Sequence, residues 1–365
     1  MSIKNNDIFC ASIAEISESE KNVVSDIVKQ INENSIIQFN VSDIQPHLNT
    51  FEYDVYKVSS IDKGSFLLKI SFGESKCLVA EYNILRSISS LNCAPSAMNK
   101  FPISCFASEG LALLTNFISG PSVAEFGINN VFSDEQEIER FFRVLAQISS
   151  IDTKDIAFCR TEPSIAQNVG KLSPIFGEDF LEKFKKIVNF DDFTSELDRI
   201  RLSLTVQSSQ FDLGKLVNAS LYPDNIIFPS GNERKYHNHY ILDWSHSFIG
   251  NPLYDFMNFI LENRLFEYSD YYKSIYFKEF SKIDSKLAAE MKYMYIEYFN
   301  YFIILKFWLS IVEYMKLCIE SEFSSIFKIE HVRFIETLNY FKSNIYKIIP
   351  SCSKLVDKFM NLVYN

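Results

Sequence analysis

The chain has 365 residues, with 36 basic and 46 acidic side chains, a formal charge of −10, 47% hydrophobic and 22% charged residues. That length exceeds a minimal domain and fits a large bilobal architecture, and the balanced composition excludes wholesale disorder and a membrane bundle. The acidic excess opposes attraction to phosphate backbones and anionic lipid, so no nucleic-acid partner and no membrane partner is expected.

Seven cysteines (Cys10, Cys77, Cys93, Cys105, Cys159, Cys318 and Cys352) are odd in number and scattered, with no Cys-x-x-Cys spacing. They read as reduced thiols. Met1 to Cys10 carries Asn5, Asn6 and Asp7 where a secretory signal needs an apolar run, so a cytoplasmic protein is expected.

Along the chain, Ser17 and Glu20 have capping-box spacing, and Val23, Val24, Ile27, Val28 and Ile31 recur at helical intervals, which predicts an amphipathic helix. Ile36 to Val41, Phe51 to Ser59 and Ser65 to Phe72 read as strands, with a hairpin turn at Asp62-Lys63-Gly64. A helix follows from about Glu74 to Ser89, carrying Leu78, Glu81, Leu85 and Ile88 on one stripe. Phe101 to Cys105 and Leu111 to Phe117 are two more strands, the second ending in Ile118-Ser119-Gly120-Pro121, a hinge signal. From Asp134 the pattern is helical, interrupted by short β stretches at Lys215 to Val217, Ile226 to Phe228 and Tyr240 to Asp243. Tyr293 to Tyr314 is apolar and aromatic, but Glu297, Lys306 and Glu313 interrupt it, so it reads as a buried helix and its Tyr293, Tyr295, Tyr298, Phe302 and Trp308 as core. The expected fold class is α+β and bilobal: a strand-rich N-terminal lobe over 1–117, a core with an embedded hairpin over 118–260, and a helical subdomain over 261–365.

Lys69 stands inside the apolar run Phe66-Leu67-Leu68-Lys69-Ile70, where an ammonium facing a core costs several kcal/mol unless paired. Glu81, on the inward stripe of the next helix, is the partner the pattern offers. His237-Asn238-His239 falls in the hairpin between Phe228 and Tyr240 and reads as a solvated turn, since no third metal ligand accompanies it.

Leu216 to Phe228, then Tyr240-Ile241-Leu242-Asp243-Trp244, then Gly250-Asn251-Pro252-Leu253-Tyr254-Asp255, resembles the catalytic core of the aminoglycoside phosphotransferase and choline kinase families, which have a protein-kinase-like fold. Their loop reads roughly His-Gly-Asp-Leu-His-x-x-Asn-Ile-Leu-Phe, followed by Ile-Asp-Trp and Gly-x-Pro-x-x-Asp. The resemblance spans about Phe51 to Ile260. It implies that Lys69 contacts nucleotide phosphates, steadied by Glu81, and that Asn225 and Asp243 hold Mg²⁺ beside ATP or GTP. Oxygen ligands of this kind suit a hard cation.

The departures sit in the loop. Ser220 occupies the place of the catalytic aspartate, Asn218 that of His, Ala219 that of Gly and Tyr222 that of the second His, while Asp224 stands beside Asn225. A serine hydroxyl does not take a proton at neutral pH as a carboxylate does. Leu48 to Val55, at the phosphate-covering turn, contains no glycine. The expectation is a nucleotide-binding, pseudokinase-like protein with impaired phosphotransfer. The alternative is an active ATP-dependent kinase phosphorylating a hydroxyl of an amino alcohol, aminoglycoside or sugar; in either case the acceptor or protein partner is not named by the sequence.

Overall fold

The computed structural model describes residues 18–35, 37–49, 54–60, 62–72, 76–105, 108–128, 132, 134–154, 156, 160–161, 202–228 and 239–320. Ser17, Phe51, Tyr53, His237 and Asn238 lie outside the described residues, as does the side chain of Trp308. The chain divides into two compact units, one of Met1–Cys159, Lys215–Phe248 and Asn258–Ala288, the other of Arg160–Gly214, Ile249–Met257 and Ala289–Asn365.

The first unit opens with helix α1 (Glu18–Asn34), followed by strands β1 (Phe39–Asn49), β2 (Asp54–Ser60) and β3 (Gly64–Phe72), helix α2 (Lys76–Ser87), and strands β4 (Ala97–Cys105) and β5 (Ser108–Asn116). The five strands form one antiparallel sheet in the order β1-β2-β3-β5-β4. Two prolines sit in it, Pro46 in β1 and Pro102 in β4, and both strands are edges, where a missing N–H costs no ladder bond. The β2–β3 turn closes through the Ser60 hydroxyl, which accepts from the Asp62 and Lys63 N–H groups, and Gly64 follows at φ 88°. A left-handed residue there favours glycine.

Strand alternation gives the sheet two buried faces. On one, Tyr56, Val58, Phe66, Leu68, Ile70, Ala112 and Leu114 pack with Val24, Ile27, Val28 and Ile31 of α1. On the other, Val55, Leu67 and Leu113 pack with Leu78 of α2. Fully burying an aliphatic side chain of this size contributes about 1.5 to 3 kcal/mol, so α1 is a structural element of the sheet rather than an appendage.

The unit continues with α3 (Val123–Phe126), α4 (Glu135–Ser149), β6 (Lys215–Val217), the antiparallel pair β7 (Ile226–Ile227) and β8 (Tyr240–Ile241), and, beyond α5 (Leu253–Glu262), helix α6 (Ser269–Ile283). Asp134 caps α4 by accepting from the Gln136 N–H at 2.9 Å. Its apolar face, including Phe141, Phe142 and Leu145, is buried, and Phe142 meets Tyr276 of α6 edge to face at 5.4 Å. Between the same helices Arg143 Nε reaches the fully buried carboxylate of Glu279 at 2.9 Å.

In the second unit, helix α7 (Ser285–Glu320) buries Tyr298, Tyr301 and Phe302; Phe211 packs on Tyr298 and Tyr301, and Phe302 on Tyr254. The core reading therefore holds for Tyr298 and Phe302, whereas Tyr293 is 93% exposed. Among the described residues, no helix is long and apolar enough to cross a membrane. The antiparallel sheet and the helices together make the fold α+β, as expected.

Candidate functional site

Lys69 sits on β3, paired with Val55 of β2 and Leu113 of β5. Its parity is that of Leu67, so it faces α2 rather than α1. Glu81 rises from α2 between Leu78 and Leu85, both fully buried, and is itself 2% exposed. The two meet: Lys69 Nζ donates to Glu81 Oε1 at 2.8 Å and Oε2 at 3.0 Å. The same ammonium lies 3.8 Å from Asp243 Oδ1. Burial alone would drive the Lys69 pKa down; the carboxylates of Glu81 and then Asp243 outweigh it and hold the ammonium above the ordinary lysine value. Glu81 also accepts the backbone N–H of Trp244, the residue after Asp243.

The loop from Asn218 to Asn225 is held by its own polar groups. Asn218 stands where the resembling families keep His, and its amide donates to the carbonyls of Asp243 at 3.2 Å and Leu242 at 3.4 Å. Its Oδ1 accepts from the Ser220 N–H at 3.0 Å, so one side chain ties the loop to the Asp243 segment. Asn225 Nδ2 donates to the Ser220 carbonyl at 2.9 Å, and the Asn225 carbonyl accepts from the Leu242 N–H at 2.8 Å. That arrangement commits the amide nitrogen of Asn225 and makes its Oδ1 the atom suited to a cation. With the Asp243 carboxylate, it offers the hard oxygen donors that Mg²⁺ or Ca²⁺ takes, so the residues fit a divalent ion.

Two non-glycine residues here have left-handed backbones, Ala219 at φ 66° and Asp243 at φ 52°. Ala219 is the more telling, because the families' pattern has Gly at that position. An L-residue held there bears a steric cost of roughly 1 to 2 kcal/mol. Ser220 is 1% exposed, and its Oγ is buried with no hydrogen-bond partner among the described residues. Asn258 and Asn263 lie beneath the same loop, donating to the Ala219 and Leu221 carbonyls. Thus Lys69, Glu81 and Asp243 are in direct contact, and Asn225 and Ser220 join them through the loop's hydrogen bonds.

Gly120, singled out in the sequence, sits where the chain passes close to another segment. A Cβ on Gly120 would lie 2.2 Å from the Phe228 carbonyl oxygen, and the Phe228 N–H donates to the Pro121 carbonyl at 3.0 Å. Gly120 lets the chain cross tightly over the β7–β8 pair. Ser122 then caps α3, its hydroxyl accepting from the Glu125 N–H while Glu125 returns to the Ser122 N–H. Beyond α2, the Cys93 carbonyl accepts from the Ile241 N–H at 2.7 Å, which ties the segment after that helix to β8.

Sequence reasoning misread one histidine. His239 is 1% exposed, ringed by Phe132, Phe141 and Phe228, with Nε2 3.4 Å from Glu137 Oε2. The signal was its register: continuing the Ile227↔Tyr240 pairing sets His239 opposite Phe228, on the inward face. Among the described residues, no group of three His, Cys, Asp or Glu side chains is arranged to hold a metal. Sequence reasoning also passed over Ser245, whose hydroxyl donates to Asp243 Oδ1 at 2.6 Å.

No protein-family model and no curated protein sequence matches the chain. By structure it is similar to hAmiN, an amicoumacin kinase in complex with AMP-PNP, Ca²⁺ and Ami, with a TM-score of 0.57 at 14% identity, covering 87% of this chain and 94% of that one. It is also similar to a mutant aminoglycoside 2'-phosphotransferase IIIa in its GDP complex, with a TM-score of 0.53 at 13% identity and coverage of 89% and 98%. A fructosamine-3-kinase of Haemophilus somnus aligns with a TM-score of 0.50 at 12% identity, covering 87% and 97%. The chain has the protein-kinase-like fold shared by these aminoglycoside, amicoumacin and fructosamine kinases.

Proposed function

We propose that this protein binds a nucleoside triphosphate with Mg²⁺ and transfers its phosphoryl group slowly or not at all, a pseudokinase-like member of the small-molecule kinase fold. The observation that carries the reading is the contrast at one site. Lys69, Glu81 and Asp243 are assembled, while Ser220, to which the resemblance gives the place of the catalytic aspartate, has a buried Oγ. Phosphoryl transfer asks the protein to position the nucleotide, neutralise phosphate charge and orient the attacking hydroxyl. In this reading Lys69 meets the phosphates with Glu81 fixing its direction, and Asn225 and Asp243 hold the cation. The metal, when bound, supplies charge neutralisation at the phosphate oxygens. The nucleotides and Ca²⁺ named with the similar kinases support this assignment. The last function, orienting and deprotonating an acceptor hydroxyl, is not one Ser220 can supply: it is no base, and its Oγ is shielded from solvent. The divisions 1–117, 118–260 and 261–365 are proposed as the two lobes and a helical subdomain, with the protein acting in the cytoplasm.

A second reading, an active kinase acting on an alcohol group, is favoured by the intact Lys69, Glu81 and Asp243 constellation. A general base contributes about 10² to 10⁴ in rate and kinases turn over at about 1 to 100 per second, so losing it still leaves a measurable enzyme. Product formation with ATP against amino alcohols, aminoglycosides and sugars separates the two. The proposal expects turnover well below about 1 per second on every acceptor; turnover in the ordinary kinase range on any of them overturns it.

A further inference from the structure

We infer that Ser245 is the positioning residue for the cation-binding carboxylate of Asp243; this rests on the reading that Asp243 and Asn225 hold a divalent ion. A terminal carboxylate torsion is broad and roughly two-fold, so a lone, partly exposed aspartate samples many orientations. The Asp243 side chain is 25% exposed, which leaves its carboxylate torsion open to such orientations unless neighbours fix it. Ser245 removes that freedom. It is 3% exposed, and its hydroxyl donates to Asp243 Oδ1 at 2.6 Å. That length belongs to a charge-assisted O–H···O⁻ bond, which is about twice as strong as a neutral one. Lys69 Nζ approaches the same oxygen at 3.8 Å, so Oδ1 is fixed from two directions, by a buried hydroxyl on its own turn and by an ammonium on β3.

The backbone at Asp243 is left-handed, and the turn that follows, closed by the Ser247 N–H on the Trp244 carbonyl, contains Ser245. Ser245 therefore acts through Asp243. It fixes the carboxylate plane before an ion arrives, and the ion need not spend binding energy on ordering its ligand. Partners that orient a metal ligand typically account for 10- to 100-fold in metal affinity.

The test measures Mn²⁺ affinity by electron paramagnetic resonance in the presence of AMP-PNP, alongside AMP-PNP affinity in EDTA and the melting temperature. The forms compared are the wild type, Ser245→Ala, Ser245→Gly, Ser245→Thr and Asp243→Ala. The expected result is a loss of about 10-fold or more in Mn²⁺ affinity for both Ser245→Ala and Ser245→Gly, with metal-free nucleotide affinity unchanged. Ser245→Thr, which keeps the hydroxyl, should stay within about 3-fold of wild type, and Asp243→Ala should lose the ion. A merely structural serine would lower the melting temperature and leave Mn²⁺ affinity unmoved; that result, with Asp243→Ala still losing the ion, overturns the inference and leaves the functional reading standing. If threonine packs badly, the Ala and Gly variants decide: a loss in both supports the inference, and Mn²⁺ affinity near wild type in either overturns it. If the wild type binds no Mn²⁺, or Asp243→Ala binds it normally, the functional reading itself fails and the inference with it.

Discussion

Glu81→Ala is expected to be among the most destabilising single substitutions in the first unit. Lys69 donates to both Glu81 oxygens, at 2.8 and 3.0 Å, and the two residues are 8% and 2% exposed, so water cannot replace the lost carboxylate without opening the core. Removing one partner of a buried pair typically costs about 3 to 5 kcal/mol, because the other charge is left uncompensated. Asp243, 3.8 Å away, takes over some of the compensation, which puts the expectation near the lower end, about 3 kcal/mol. The Trp244 N–H also loses its acceptor. Equilibrium urea denaturation followed by Trp fluorescence reads the change. The double variant Lys69→Met with Glu81→Leu removes both charges and should recover most of the stability, since apolar replacement of a buried pair is often neutral or better. The pair also sets a pH dependence. Because Glu81 and Asp243 raise the Lys69 pKa above 10.5 against burial, its contribution is complete below pH 10.5 and declines as pH rises through the folded-state value. Glu81→Ala should flatten that alkaline decline. A single-variant loss under about 1 kcal/mol, or a double variant as unstable as the two singles added, would refute the reasoning.

Three further outcomes follow from local geometry. Ala219→Gly relieves a left-handed alanine at φ 66° and should stabilise the protein by about 1 kcal/mol in the same denaturation assay; a loss of stability would show that the loop is not strained there. Gly120→Ala puts a Cβ 2.2 Å from the Phe228 carbonyl and should cost about 2 kcal/mol or more, whereas a neutral result would mean the crossing is loose. Burial pushes the Cys93 thiol up to about 12, so maleimide at pH 8 should label Cys93 only on unfolding, and rapid labelling of the native protein, located by mass spectrometry, would contradict its placement.

How far the sequence reveals this molecule depends on whether its signals are local. Lys69 and Glu81 were legible as a pair because a charge in an apolar run and a glutamate on a leucine stripe each demand a partner. Asn225, Asp243 and Ser220 were singled out through the motif, and the structure hydrogen-bonds Asn225 to the Ser220 carbonyl. What escaped depends on distant chain. The strand reading at Ile36 to Val41 differs from β1, which runs from Phe39 to Asn49 and carries Pro46, a residue the sheet accommodates by leaving β1 at an edge. His239 looked like a turn residue because its burial comes from Phe132 and Phe141, about a hundred positions earlier in the chain. Likewise the burial of the Ser220 hydroxyl comes from packing, which no motif records. Nor did any pattern show that α1 covers the sheet face opposite α2, since an amphipathic stripe states that a face is buried and not against what.

Binding of magnesium nucleotide through Asp243 is measured by calorimetric titration of ATP and GTP with Mg²⁺ into the wild type and Asp243→Ala. The wild type is predicted to bind at least one of the two nucleotides with a matching thermal shift, about 2.7 kcal/mol of stabilisation at 100 times the dissociation constant. Asp243→Ala should lose the magnesium-dependent component. Absence of both heat and thermal shift in the wild type, or binding by Asp243→Ala that still responds fully to magnesium, would contradict it.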